Sequence, residues 1–229
     1  MHLHPTSLAK TVDSVNEAFF FKQPITSAQR EEVALWIAKR QGLEGSYADM
    51  FAPTASDMKS GIKLFTGELV APSASLRHVL GEEASRALIL LKPKSAEAKS
   101  ALKRATEGML ARLAKPPRSV SGKGAYMFCC GTCDPSVWRH ISAGGLRGAE
   151  QWIDYGMKSL KAHRDGTGKW KRYPFFWVLA ALSEIDSALA KQEIKYAAKP
   201  AERYLLRTKG TTPTIIRRRT VIERVLDKI

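Results

Sequence analysis

Pro174-Phe175-Phe176-Trp177-Val178-Leu179-Ala180-Ala181-Leu182 is the stretch that decides the fold class. Proline suits the first turn of a helix, and the run continues as a very apolar helix to Ile185. Working outward, every neighbouring segment has the same kind of punctuation. On the C-terminal side, Ser187, Pro200 and Pro213 each open a further segment, and the last carries Ile215, Ile222, Val225, Leu226 and Ile229 on one face. On the N-terminal side lies a helix through Trp152, Ile153, Gly156, Met157 and Leu160. Before it comes one that starts at Asp134-Pro135, Asp as cap and Pro at the first position, and stops at Gly144-Gly145. Ser95 caps a helix with the face Ala98, Leu102, Ala105, Met109 and Leu113. Another begins at Ser75, keeps helical spacing from Leu76 to Leu91 and ends before Pro93. Thr26 and Gln29 form a capping box for a helix through Val33, Trp36 and Ile37.

No segment alternates convincingly as a strand. The expectation is an all-α fold of about eight or nine helices: an N-terminal arm over 1–24, then one helical domain over 25–229. Two stretches, 43–73 and 116–133, are rich in Gly, Ser and Pro and exceed the usual link between helices, so they read as long loops.

The 229 residues hold 44% hydrophobic and 26% charged side chains, which excludes disordered and collagen-like classes. No apolar run is long enough to span a bilayer. The N-terminus lacks a basic region followed by an apolar stretch, so it does not read as a secretory leader. Three cysteines, all within 129–133, do not make a disulfide framework, and the expected compartment is cytoplasmic. The outlier is a net charge of +15. It is unevenly spread. Residues 1–60 carry 6 Lys and Arg against 7 Asp and Glu, whereas residues 151–229 carry 17 against 8.

Two segments share a spacing. Trp36-Ile37, Gln41, Gly45 and Tyr47 match Ser159-Leu160, Arg164, Gly168 and Trp170. A long polar side chain at a helix end can bond carbonyls there, a glycine permits a left-handed turn, and the aromatic is expected to stack over the polar group. This resembles the QW repeat of terpene cyclases and the α/α-toroid hairpins shared with protein prenyltransferase β subunits. Asp165-Gly166-Thr167-Gly168-Lys169-Trp170, followed by the helix from Pro174, carries most of the likeness, which covers about 90 residues in all. It implies helical hairpins of toroid or solenoid type, with inner helices lining an apolar cavity. Trp138, Tyr173, Phe175, Phe176 and Trp177 would be its walls. The families' cavities hold isoprenoid chains with a diphosphate head, for which Arg164, Lys171 and Arg172 would supply cations. Tyr47 stands where the pattern has Trp, and Arg164 where it has Gln. The protonating Asp-x-Asp-Asp motif is absent, so cyclase activity is not implied.

Chemistry concentrates in two places. Cys130-Gly131-Thr132-Cys133, with His140 seven residues on, offers three zinc ligands. Lanthionine cyclases, also toroids, use two Cys and one His in this way. The same thiols read first as buried apolar side chains, and also as a reactive thiol whose pKa is lowered at a helix start. His78 and Glu82, one turn apart with Arg86 on the same row, read either as a salt-bridged row or as a catalytic base with its orienting carboxylate. Function therefore stands between two expectations. One is a site for an apolar or anionic small ligand. The other is a nucleic-acid-binding face in the basic C-terminal third, formed by Arg164, Lys169, Lys171, Arg172, Arg217, Arg218 and Arg219.

Overall fold

The structure is a computed structural model that describes residues 1–115 and 125–229, together with the backbone of 118–119. It is all-α, as the periodicity requires. Ten helices occur among the described residues: α1 Leu8–Phe20, α2 Ser27–Ala38, α3 Ala55–Ser60, α4 Ala74–Leu91, α5 Ala96–Leu113, α6 Asp134–Ser142, α7 Gln151–Ala162, α8 Phe175–Glu184, α9 Ala188–Arg207 and α10 Pro213–Leu226. Two short antiparallel hairpins accompany them, β1 Ile62–Lys63 with β2 Leu69–Val70, and β3 Arg118–Ser119 with β4 Tyr126–Met127. No helix is long and apolar enough to cross a membrane among the described residues.

Two helices are central. The decisive run from Pro174 forms α8, whose Trp177 to Leu182 are all buried. Helix α4 is buried around nearly its whole circumference and packs against α1, α2, α5 and α6. Helix α6 lies between the two centres, touching α4 on one side and α8 on the other. Helices α9 and α10 cover α8, and α7 closes over α6 and α9.

Three departures from the sequence reading have physical causes. Residues 1–24 are not an arm. They contain α1, whose Leu8, Val12 and Val15 enter the core. Ser7 caps its start locally, accepting from Lys10 N–H at 3.1 Å, and the buried carboxylate of Asp57 anchors it from a distance, accepting from Ser7 Oγ at 2.6 Å and Leu8 N at 2.9 Å. The long loop at 43–73 holds α3 and the first hairpin. Pro200 does not open a helix. Helix α9 runs through it, and the Pro200 ring packs where only Gly168 leaves room: a Cβ on Gly168 would sit 2.6 Å from Pro200 Cδ. Gly168 also has φ +90°. Gly168→Ala is therefore expected to cost about 2–3 kcal/mol through strain and overlap, read as a lower midpoint in urea unfolding with an unchanged slope.

Both expected corners turn on a left-handed glycine, Gly45 at φ +83° and Gly168 at +90°. Each is closed by an isolated antiparallel bridge, Gln41 with Phe51 and Arg164 with Trp170. The expected stacking of aromatic on polar group does not form. Tyr47 stacks on His78 instead, with ring centroids 4.4 Å apart. Arg164 and Trp170 both bond Glu193 of α9, and Tyr196 takes the face of Arg164.

Candidate metal centre

Helix α4 carries an unusual set of side chains into the interior. His78, Glu82, Glu83, Ser85 and Arg86 are all buried. They divide into two polar groups. In the first, Glu82 stands between two imidazoles: Oε1 lies 3.3 Å from His78 Nε2, and Oε2 lies 2.6 Å from His140 Nδ1 of α6. Burial alone would raise this carboxyl. The hydrogen bonds from His140 and His78 and their charges outweigh it and hold Glu82 down at about 2. In the second group, Arg139 of α6 joins Glu83 at 2.6 Å to Glu184 of α8 at 3.1 Å, and Arg86 bonds Glu184 and Asn16. A buried charge needs a partner with hydrogen bonds, and here each helix brings the counter-charge of another.

The cysteines arrive from the segment after β4. It turns back through Cys133 N–H and Asp134 N–H, both donating to Cys130 O at 3.0 Å. Cys133 occupies the N-cap of α6, and Asp134 is the first helical residue. Asp134 does not cap the helix; its buried carboxyl accepts from Cys129 N–H at 3.2 Å and from the Tyr173 hydroxyl at 3.3 Å. Burial pushes it up to about 8. The Cys130 and Cys133 sulfurs are 3.3 Å apart, and Cys130 Sγ lies 3.5 Å from Ser75 Oγ of α4. Three thiols this close do not ionise together. Hydrogen bonds from Cys129 and Cys133 hold Cys130 well below the usual thiol range, while the bond to Cys130 pushes Cys129 up to about 11.

The cysteines meet a histidine, and it is His78 rather than His140. One ring nitrogen of His78 and the sulfurs of Cys129 and Cys133 all lie within 4.8 Å of one another. Glu82 occupies Nε2 of that ring, and Nδ1 is buried with no hydrogen-bond partner. Tyr47 stacks on one side of the ring, and Phe128 meets it edge-on at 4.7 Å. His140 fails as a ligand for a geometric reason. It lies seven residues along α6 from Cys133, about 10 Å of helix rise. Its free Nε2 is closed off by Gly145, where a Cβ would sit 2.4 Å away.

The sequence placed the two halves in separate stretches, and the structure groups His78 and Cys129 with Cys133 where the spacing suggested His140 and Cys130. The signal that could have joined them is the His78/Glu82 spacing, since a carboxylate holding one ring nitrogen is how a metal-bound histidine is oriented. As a catalytic pair, His78 and Glu82 do not fit: neither is reached by solvent, and the carboxylate is committed to two rings.

The other expected sites are rearranged. The aromatic walls do not enclose a cavity. Trp138 and Trp177 are among the most buried side chains, Tyr173 bonds Ser159 and Asp134, and Phe176 packs against Tyr204. Trp177 borders one void, of about 20 Å³, too small for an isoprenoid. A cleft of about 620 Å³ lies elsewhere, between α1, α3, β1–β2 and the start of α10. The expected anion-binding set also splits. Arg164 pairs with Glu193 at 2.8 Å and Arg217 with Asp13 at 2.8 Å, and Arg217 also bonds Glu17. Arg218 donates to Thr66 O, and Arg219 to Leu205 O and Thr208 O. These four arginines tie helices together. Lys169, Lys171 and Arg172 are exposed. No family model, curated protein or solved structure matches this chain, so its candidate centre is read from its own geometry.

Proposed function

We propose that this chain is a zinc-binding helical protein in which Cys129, Cys130, Cys133 and His78 hold one metal ion and so clamp the 125–133 segment to α4. The observation that carries the reading is a ring nitrogen of His78 within 4.8 Å of two sulfurs, on a buried ring whose Nδ1 has no partner and whose Nε2 faces Glu82. Tetrahedral zinc bonds of about 2.3 Å to sulfur and 2.0–2.1 Å to nitrogen place ligand atoms about 3.5–3.8 Å apart. The cluster reaches that spacing by closing about 1 Å from its 4.8 Å limit. Thiolates with one imidazole favour zinc over harder cations. Cys130 lies outside that group, with its sulfur 3.3 Å from Cys133 Sγ; swinging in from there, it would complete four ligands and leave no open position, the pattern of a structural rather than a catalytic site. Metal analysis of purified protein tests this: about one zinc per chain is expected, and less than about 0.1 overturns it.

We also propose that the two corners are copies of one repeated hairpin resembling those of α/α toroids. Their support is the shared left-handed glycine and the shared closing bridge.

A further inference from the structure

The positive charge of the C-terminal third does have an address, although four of the arginines expected there are engaged internally. Helix α9 buries Ala190, Glu193, Ile194, Ala197 and Ala201. Its outward side carries Lys191, Lys195, Lys199, Arg203 and Arg207, all exposed, one at every fourth position. An i,i+4 row forms a ridge along a helix, with about 6 Å between steps, so these five cations extend over about 24 Å. Of the nine exposed positions of α9, five are cationic and one, Glu202, is acidic.

The second α7–α8 corner adds to this ridge. Gly168 packs on Pro200, and the Tyr196 hydroxyl accepts from Gly166 N–H at 2.8 Å and donates to Lys169 O at 3.2 Å. These contacts seat the turn against the middle of α9 and bring the exposed Lys169, Lys171 and Arg172 beside the ridge. The acids nearby are mostly occupied. Asp165 accepts from Thr167 N–H and Lys169 N–H within its own turn, and Asp186 faces Lys191 at 3.5 Å.

We infer that this face, the α9 row together with Lys169, Lys171 and Arg172, binds the phosphate backbone of duplex nucleic acid. The reading is independent of the metal centre. An evenly spaced ridge of cations that turns by about 40° per step along its helix complements the curving row of phosphates on a duplex. A membrane surface fits less well. An interfacial helix needs an apolar side to insert, and the apolar side of α9 is spent on the core, with Leu206 the one large apolar side chain among its exposed positions. Single strands fit less well because they need free aromatic faces. Tyr196 is engaged by the turn and Arg164, and Tyr204 by Phe176.

The test is fluorescence anisotropy with a 24-base-pair duplex, on the full chain as purified, at 50 and 200 mM salt. If about five phosphates are neutralised, affinity is expected to fall about 500-fold between the two salts. The triple variant Lys195→Glu/Lys199→Glu/Arg203→Glu should bind at least about tenfold more weakly and show a shallower salt slope. A control, Lys59→Glu/Lys99→Glu/Lys103→Glu, makes the same change in net charge at exposed lysines elsewhere and should bind like the unmodified chain. Circular dichroism and the Tm of each variant show whether folding has been kept. Three results overturn the inference: no binding at 50 mM salt, equal losses in the two triple variants, or capture by phosphatidylserine vesicles without binding to the duplex.

Discussion

Arg139→Ala should lower the stability of this protein by about 3–5 kcal/mol, the cost of leaving buried charge without its partner. At this chain length that is a fall of about 6–20 °C in Tm. Arg139 is 2% exposed, bonds Glu83 and Glu184 on two different helices, and lies over the Trp177 ring at 4.6 Å. Removing it strands Glu83, which keeps only the amide of Asn16, and halves the pairing of Glu184. By contrast, Lys103 and Glu107 form an exposed pair at 3.9 Å, and Lys103→Ala should change stability by less than about 0.5 kcal/mol. The network has a pH signature. Burial would raise Glu184, but Arg139 and Arg86 outweigh it and hold its folded pKa below the ordinary value. A carboxylate lowered on folding stabilises the protein above its unfolded pKa, near 4.3, and loses that contribution as pH falls through the folded value. Acid unfolding should therefore steepen below about pH 4, and Glu184→Gln should flatten that limb while lowering stability at pH 7. An unchanged Tm in Arg139→Ala would contradict this account of the core.

The second large effect concerns the metal. Stripping zinc with a chelator should lower Tm by about 10 °C or more, since a ligand a thousandfold above its Kd contributes about 4 kcal/mol. The far-ultraviolet helical signal at 25 °C should survive, because the packing of α4, α6 and α8 does not pass through the cysteine segment. Cys133→Ser separates metal from packing. This side chain is fully buried, so the variant loses stability on its own account. The diagnostic result is that added zinc raises the Tm of the stripped unmodified chain and leaves that of Cys133→Ser unchanged. His140→Ala should retain zinc and His78→Ala should lose it, a reversal of what the sequence spacing suggests. If both retained it, the ligand assignment would fail.

Much of the helical architecture is legible locally. Thr26 with Gln29 forms the expected capping box, Ser187 caps α9, and the apolar run after Pro174 is the buried α8, whereas α4 is capped by Ser73, ahead of the expected Ser75, and Ser95 makes no cap bond. Helix α1 does carry a local signal, Ser7 as cap ahead of Leu8, Val12 and Val15; what is not legible is the anchor of its first turn on buried Asp57, 50 residues away from Ser7. The hairpin β1–β2 was not legible because two residues per strand carry no period.

By itself the sequence determined the fold class, the left-handed corners at Gly45 and Gly168, and the concentration of thiols before α6, since these depend on contacts within a turn or two. Only the tertiary structure decided which residues meet. Packing α4 against α6 puts His78, and not His140, beside Cys129 and Cys133. Packing α10 against α1 and the β1–β2 hairpin turns Arg217 and Arg218 into internal partners of Asp13 and Thr66. The physical reason is range. Caps, turns and helical period are fixed by neighbours in the chain, whereas a metal centre or a buried ion pair is fixed by helices that are distant in sequence and adjacent in space.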